Sequence, residues 1–181
     1  LNMSKNILVI SASPRKGGNS ETLADAFIKG AEESGNKVEK VVLYDKTIGF
    51  CKGCLACQKT QRCIIHDDAD TIVQKMRTAE AIVFATPIYY YEMCGQMKTM
   101  LDRANPLYSS DYAFRNVYLL ATAADEDEHA VDGAVKGLSG WVTCFPKARI
   151  AGTVFAGGVD AVGTIKDHIA LNKAYEMGKS V

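Results

Sequence analysis

The chain has 181 residues, 48% of them hydrophobic, with 21 Lys and Arg against 21 Asp and Glu, so its formal net charge is zero. That length suits a single α/β domain over residues 1–181, and the balanced charge offers no field to draw in nucleic acid. No apolar run approaches the ~18 residues of a membrane span and no basic flank precedes an apolar segment at the N-terminus, so a soluble, cytoplasmic protein without a membrane partner is expected. Leu1 and Asn2 stand ahead of Met3 and read as an addition to a chain that starts there.

Residues 7–23, ILVISASPRKGGNSETL, run from an apolar strand through a loop of Ser, Pro, Arg and Gly into a helix that opens at Asn19 and Ser20. Such a loop aims backbone amides and hydroxyls at a helix N-terminus, where the dipole favours an anion. It is neither a Walker loop nor a dinucleotide fingerprint, because G-x-x-x-x-G-K-[ST] and G-x-G-x-x-G are both missing, so ATP and Rossmann-type NAD binding lose ground. The hydroxyl-rich set Ser11, Ser13, Asn19, Ser20 and Thr22 suits a monoester phosphate held by neutral donors. An ordinary βα turn with a good cap satisfies the same pattern.

Leu23, Ala24, Phe27, Ile28 and Ala31 continue that helix at helical spacing, and Gly35 stands where a left-handed C-terminal cap is wanted. Residues 37–44 form a second strand, after which comes a loop with Cys51, Cys54, Cys57 and Cys63. Asp67 or Asp68 caps the next helix, whose inner face is Ile72, Val73 and Met76. Residues 81–85, AIVFA, are apolar throughout as in a central parallel strand, which Thr86 and Pro87 are expected to stop. A tyrosine-rich loop leads to a helix over 95–103 with Met97, Met100 and Leu101 inward. Residues 116–123 form a fourth strand, and a helix over 126–145 carries Val131, Val135, Leu138 and Trp141 or Val142 behind an acidic, dipole-matched start. Residues 149–156 form the last strand and 165–177 the last helix.

Alternating strands and helices predict a five-stranded parallel sheet with helices on both faces and right-handed crossovers. For the strand order 2-1-3-4-5, ligands sit where the order reverses, between the first and third strands. The Ser-rich loop and the loop after Pro87 meet there, offering an anionic end and a flat apolar end. A flavin mononucleotide has that shape, with amides after Pro87 for the polar edge of its ring and Ile88 and the tyrosines for its faces. The plainer alternative is that three consecutive tyrosines serve core or subunit packing, and at least one of them is expected to.

The blocks SASPRKGGNSETL, CKGCLACQKTQRCIIHDD, ATPIYYYEMCGQMKTMLDR and GTIKDHIALNKAYEMGK resemble the NADPH-dependent FMN reductases of the flavodoxin-like superfamily, and among them the branch with the iron–sulfur flavoproteins. The resemblance spans residues 4–179 and implies a flavodoxin-like three-layer sandwich. It places the FMN phosphate on Ser11, Ser13, Arg15, Asn19 and Ser20, with Pro14 and Gly18 in the same loop, and the isoalloxazine on Pro87, Ile88, Tyr89 and Tyr90. It also implies a homodimer or homotetramer whose subunits help to cover the flavin.

Six cysteines are many for a chain of this class, and the close grouping of four argues for metal or redox chemistry and against a disulfide framework. The spacing C-x2-C-x2-C-x5-C resembles the compact motif of the iron–sulfur flavoproteins, which puts a [4Fe–4S] cluster on Cys51, Cys54, Cys57 and Cys63. A zinc site fits this spacing less well, since four-cysteine zinc sites pair two separated C-x2-C elements. A cysteine loop without metal is the third alternative. Cys94 and Cys144 read as inert buried residues, and His66 is given no role.

These features describe a flavin oxidoreductase taking hydride from NAD(P)H and passing electrons to a small-molecule acceptor, with no protein acid or base required for the hydride step. With a cluster present, a ferredoxin is the expected partner. A flavodoxin-like electron carrier without turnover is the alternative, although carriers usually bear an acidic docking face. An apo binding module on the same fold is a third possibility.

Overall fold

A computed structural model describes residues 3–181; the expectation about Leu1 and Asn2 lies outside the described residues. In chain order the elements are β1 (Asn6–Ser11), α1 (Asn19–Glu33), β2 (Lys37–Val42), α2 (Cys57–Thr60), α3 (Asp68–Thr78), β3 (Ala81–Tyr89), β4 (Glu92–Met93), α4 (Gly95–Arg103), β5 (Asn116–Thr122), α5 (Asp132–Thr143), β6 (Arg149–Ala156) and α6 (Ile169–Lys179). The sheet order is β2-β1-β3-β5-β6, all parallel, and the two-residue β4 pairs antiparallel with β3 alone. This is the expected order, with β4 as a small addition.

Alternation along each strand feeds two apolar layers. Ile7 and Val9 join Leu23, Ala24 and Phe27 of α1 and Ala170 and Ala174 of α6, whereas Leu8 and Ile10 join Ile72, Val73, Met76, Met97, Met100 and Leu138 on the other face. The expected helix ends are present where their signals are local. Gly35 adopts φ 88°, with Gly35 N–H on Glu32 O (2.9 Å) and Asn36 N–H on Ala31 O (3.1 Å), closing α1 with a left-handed cap. The Asp67 carboxylate accepts the Ala69 N–H and caps α3.

Three segments differ from the sequence expectation. β3 does not stop at Thr86 and Pro87 but continues to Tyr89, with Pro87 paired to Thr122 of β5. In a parallel ladder the N–H and C=O of one residue face the same neighbour, and Ala85, the last β3 residue paired with β1, accepts Ala12 N–H at 2.8 Å. Pro87, two residues on, therefore faces the side where β1 has already ended, and its missing donor costs no ladder bond. The helix expected over 126–145 begins as a 3-10 turn at Glu128–Val131, and only Asp132–Thr143 is α-helical. The last helix starts at Ile169, where the His168 ring accepts Ala170 N–H; residues 161–167 are turns, with Asp167 at φ 66°.

Candidate functional site

The crevice that the strand order implies, beyond the C-terminal ends of β1 and β3, falls at the first turn of α1. Gly18 is the N-cap in an extended conformation and no side chain caps the helix, so its leading amides are offered outward. Ser20 shares the buried stripe of Leu23, Ala24 and Phe27, and Ser11 lies on the β1 face of Ile7 and Val9, so both serines sit on the side of the sheet that α1 covers. Their hydroxyls are buried and find no hydrogen-bond partner among the described residues. Buried polar atoms left unpaired cost about 1–3 kcal/mol each, which a phosphate oxygen would recover.

The loop between them is held by its own bonds. Ser13 Oγ donates to Arg15 O (2.9 Å) and accepts Arg15 N–H (3.2 Å), and the Arg15 guanidinium donates to Asp160 O (2.8 Å). A Cβ on Gly18 would lie 2.6 Å from Ser13 Oγ, so only glycine lets the loop pass this close. Glu21 Oε2 accepts Gly17 N–H (2.8 Å), while Lys40 sits 3.1 Å from Glu21 Oε1 and offsets a charge that would otherwise oppose an anion. The Asn19 side chain is spent elsewhere: Nδ2 donates to Ala161 O (2.9 Å) and Thr164 Oγ1 (3.2 Å), and Oδ1 accepts Gly163 N–H (3.1 Å) and Ile165 N–H (3.3 Å). All its side-chain hydrogen-bonding capacity goes to the 161–165 loop.

On the β3 side, Thr86 Oγ1 donates to Pro87 O (2.8 Å) and accepts Cys94 N–H (3.1 Å), while Cys94 Sγ donates to Ala12 O (3.3 Å). These bonds stitch the Ser-rich loop to the tyrosine segment. Burial pushes the Cys94 thiol above its ordinary pKa, so it stays protonated and inert as expected. Tyr90 (φ 49°) and Tyr91 (φ 63°) form a two-residue hairpin between β3 and β4, both in the left-handed region that glycine and asparagine favour. Tyr90 is fully exposed at the tip. The Tyr91 hydroxyl donates to Asp125 Oδ2 (2.9 Å), which raises the Tyr91 pKa and ties the hairpin to the loop after β5.

The cysteine loop lies apart from this crevice. Cys51, Cys54, Cys57 and Cys63 line one cleft of about 440 Å³, whose opposite wall includes Leu101, Tyr108, Trp141 and Phe145. Among the described residues no three His, Cys, Asp or Glu side chains converge tightly enough for a single metal ion. The four thiols around this open cleft are the donor set a multi-iron cluster would need, one thiolate per iron. Cys144 corrects the sequence expectation: it is exposed and lines the same cleft. Arg103 is buried and forms a bidentate pair with Asp67 (2.7 and 2.8 Å) beside the loop. Burial works against the Asp67 charge, but hydrogen bonds from Arg103, Gly49 and Ala69 outweigh it and hold the carboxyl below the usual range.

The sequence profile of the NADPH-dependent FMN reductase family matches residues 5–161. The chain belongs to that family. An iron-sulfur flavoprotein of Archaeoglobus fulgidus is 40% identical over 97 residues, 54% of this chain and 44% of that protein. One from Methanosarcina thermophila is 37% identical over 107 residues, 59% of this chain and 56% of its own. The chain thus spans about half the length of the iron-sulfur flavoproteins it matches. A putative NAD(P)H-dependent FMN-containing oxidoreductase of Bacillus subtilis, YwqN, is 25% identical over 96% of both chains. Among solved structures, an NAD(P)H:quinone oxidoreductase from Methanothermobacter marburgensis superposes with a TM-score of 0.77 at 16% identity, covering 98% of this chain and 96% of that one. This likeness shows the flavodoxin-like fold.

The residues that the sequence singles out fall into three groups. Ser11, Ser13, Pro14, Arg15, Gly18 and Ser20 border the α1 N-terminus, and Pro87, Ile88, Tyr89 and Tyr90 continue β3 beyond the end of β1. The four loop cysteines gather at a separate cleft. Asn19 stands in the first group, but its side chain braces the C-terminal loop. The bracing roles of Cys94 and Tyr91 are not legible in the sequence, because their partners Ala12 and Asp125 are remote in it, and Thr86 joins them through its bond to Cys94 N–H.

Proposed function

We propose that the chain is an FMN-dependent oxidoreductase that draws electrons from NAD(P)H and delivers them to a small-molecule acceptor. The observation that carries this reading is the pair of buried, unpartnered hydroxyls, Ser11 and Ser20, beside the uncapped first turn of α1. The α1 amides with the Ser11 and Ser20 hydroxyls would hold the phosphate, Ser13 shaping the loop through its bonds to Arg15, and the Arg15 guanidinium keeps donors to spare beyond its bond to Asp160. Bound flavin supplies two-electron redox chemistry. The chain's own task is placement: Thr86 and Cys94 lock the 86–88 segment, and Tyr89 and Tyr90 offer rings that cover a flat ligand and exclude water.

Two finer points belong to the same proposal. Cys51, Cys54, Cys57 and Cys63 would hold a [4Fe–4S] cluster, supplying one-electron chemistry, and a ferredoxin is the matching partner class. A homodimer or homotetramer would bury the exposed tyrosine hairpin against a second copy.

Anaerobic purification followed by flavin, iron and sulfide assays tests the cofactors, and NADH or NADPH oxidation with a quinone tests turnover. FMN bound near one per chain with nicotinamide-dependent quinone reduction is the expected result. No FMN binding in a titration overturns the reading, and FMN binding without turnover by either nicotinamide replaces it with the electron-carrier reading.

A further inference from the structure

The cysteine loop is held from outside by Arg103, the last residue of α4, and by Asn105 in the 3-10 turn that follows it. Asn105 Nδ2 donates to Cys57 Sγ at 3.1 Å, a bond that spans 48 residues of sequence. Arg103 Nη1 donates to Gly49 O (2.8 Å) and Asp67 Oδ2 (2.7 Å), and Nη2 to Ile65 O (3.0 Å) and Asp67 Oδ1 (2.8 Å). One buried guanidinium thus fastens the chain just before Cys51 and just after Cys63. Its Nε is buried with no partner among the described residues, in a residue only 1% exposed.

The four cysteines are therefore unequal. Cys57 is buried and Cys63 half-buried, next to these donors, whereas Cys51 and Cys54 are exposed on a tip where Gly53 and Leu55 both take positive φ (64° and 58°). We propose that Asn105 and Arg103 are positioning residues of the cysteine site: Asn105 donates to the Cys57 sulfur and Arg103 closes the base of the loop, making Cys57 and Cys63 a fixed inner pair. Cys51 and Cys54 are the outer pair, which engages last and releases first. This rests on the cluster reading above. Hydrogen bonds to ligand sulfur stabilise the more negative, reduced cluster and raise its potential, so Asn105 sets that potential as well as the geometry.

The test uses the full chain, reconstituted anaerobically with iron and sulfide, comparing the parent with Asn105→Ala and Asn105→Gln. The expected result is similar iron content, a lower midpoint potential and several-fold faster iron loss to a chelator in Asn105→Ala, with recovery in Asn105→Gln and unchanged FMN affinity. Iron uptake by the parent with the same potential and release rate in Asn105→Ala overturns the proposal and leaves the cluster reading standing. No uptake by the parent overturns the cluster reading, and alkylation of the metal-free protein then decides the positioning claim. Iodoacetamide followed by mass spectrometry should label Cys51 and Cys54 at least several-fold faster than Cys57 and Cys63, with Arg103→Lys narrowing the gap at Cys63. Equal labelling of all four in the parent overturns it.

Discussion

Cys94 Sγ donates to the carbonyl of Ala12 at 3.3 Å, joining segments 82 residues apart at the mouth of the crevice. Because Cys94 N–H also bonds Thr86 Oγ1, a single residue fixes the β1 loop against the tyrosine segment. Cys94→Ala removes the thiol bond and leaves a small void, at a cost of about 1–2 kcal/mol by urea unfolding. In the parent at neutral pH, Cys94 should resist alkylation while the exposed Cys144 reacts. Rapid labelling of Cys94 would show that the crevice opens.

Asn19 and Ser20 are neighbours with different duties. Asn19→Ala strips four hydrogen bonds from the 161–165 loop and leaves buried donors unpaired, so it should cost about 2–3 kcal/mol of stability. Ser20→Ala removes a hydroxyl with no partner, so stability without FMN should hold or rise while FMN affinity falls about tenfold. A titration paired with a denaturation curve for each variant separates them, and equal effects in both would refute the division.

The Asp67–Arg103 pair sets an acid limit on the cysteine loop. The folded pKa of Asp67 is depressed, so its contribution is complete above the unfolded carboxylate value of about 3.9 and is lost as pH falls through the lower folded value. Arg103→Leu leaves a mostly buried carboxylate without its partner and should cost about 3–5 kcal/mol near pH 7. Because Asp67 then loses the bonds that hold its pKa down, the deficit should shrink as pH falls towards 4. A deficit constant from pH 7 to pH 4 would assign the loss to packing alone.

Tyr90 sits at φ 49°, a conformation costing a non-glycine residue of order 1–3 kcal/mol. Tyr90→Gly should therefore raise the melting temperature by about 2–4 °C for each kcal/mol recovered, while FMN retention or subunit association weakens. A variant that is more stable and keeps both properties would show that the ring has no task at the tip.

Local signals were legible in the sequence and remote ones were not. Gly35 and Asp67 announce helix ends because each acts on amides within a few residues. The end of β3 was misplaced because the cost of Pro87 depends on whether β1 is still alongside, which no local pattern carries. The Tyr90–Tyr91 hairpin was missed because its residues contradict the turn type they adopt. The Ser-rich and tyrosine-rich loops stand out by composition, but the duty of Asn19 is hidden by partners more than 140 residues away. The exposure of Cys144 follows from α5 ending at the cysteine cleft, a fact of packing.

β1 gives its last sheet pair at Ala85, and β3 carries on to Tyr89. The crevice is thus a difference in length between two neighbours, beside a proline that offers a strand on that side an acceptor but no donor. An extension of β1 by two residues would meet Pro87 and forgo one of its ladder bonds there. The niche is protected against being zipped shut by the sheet's own growth, and its width can be retuned through loop length without touching the residues that line it.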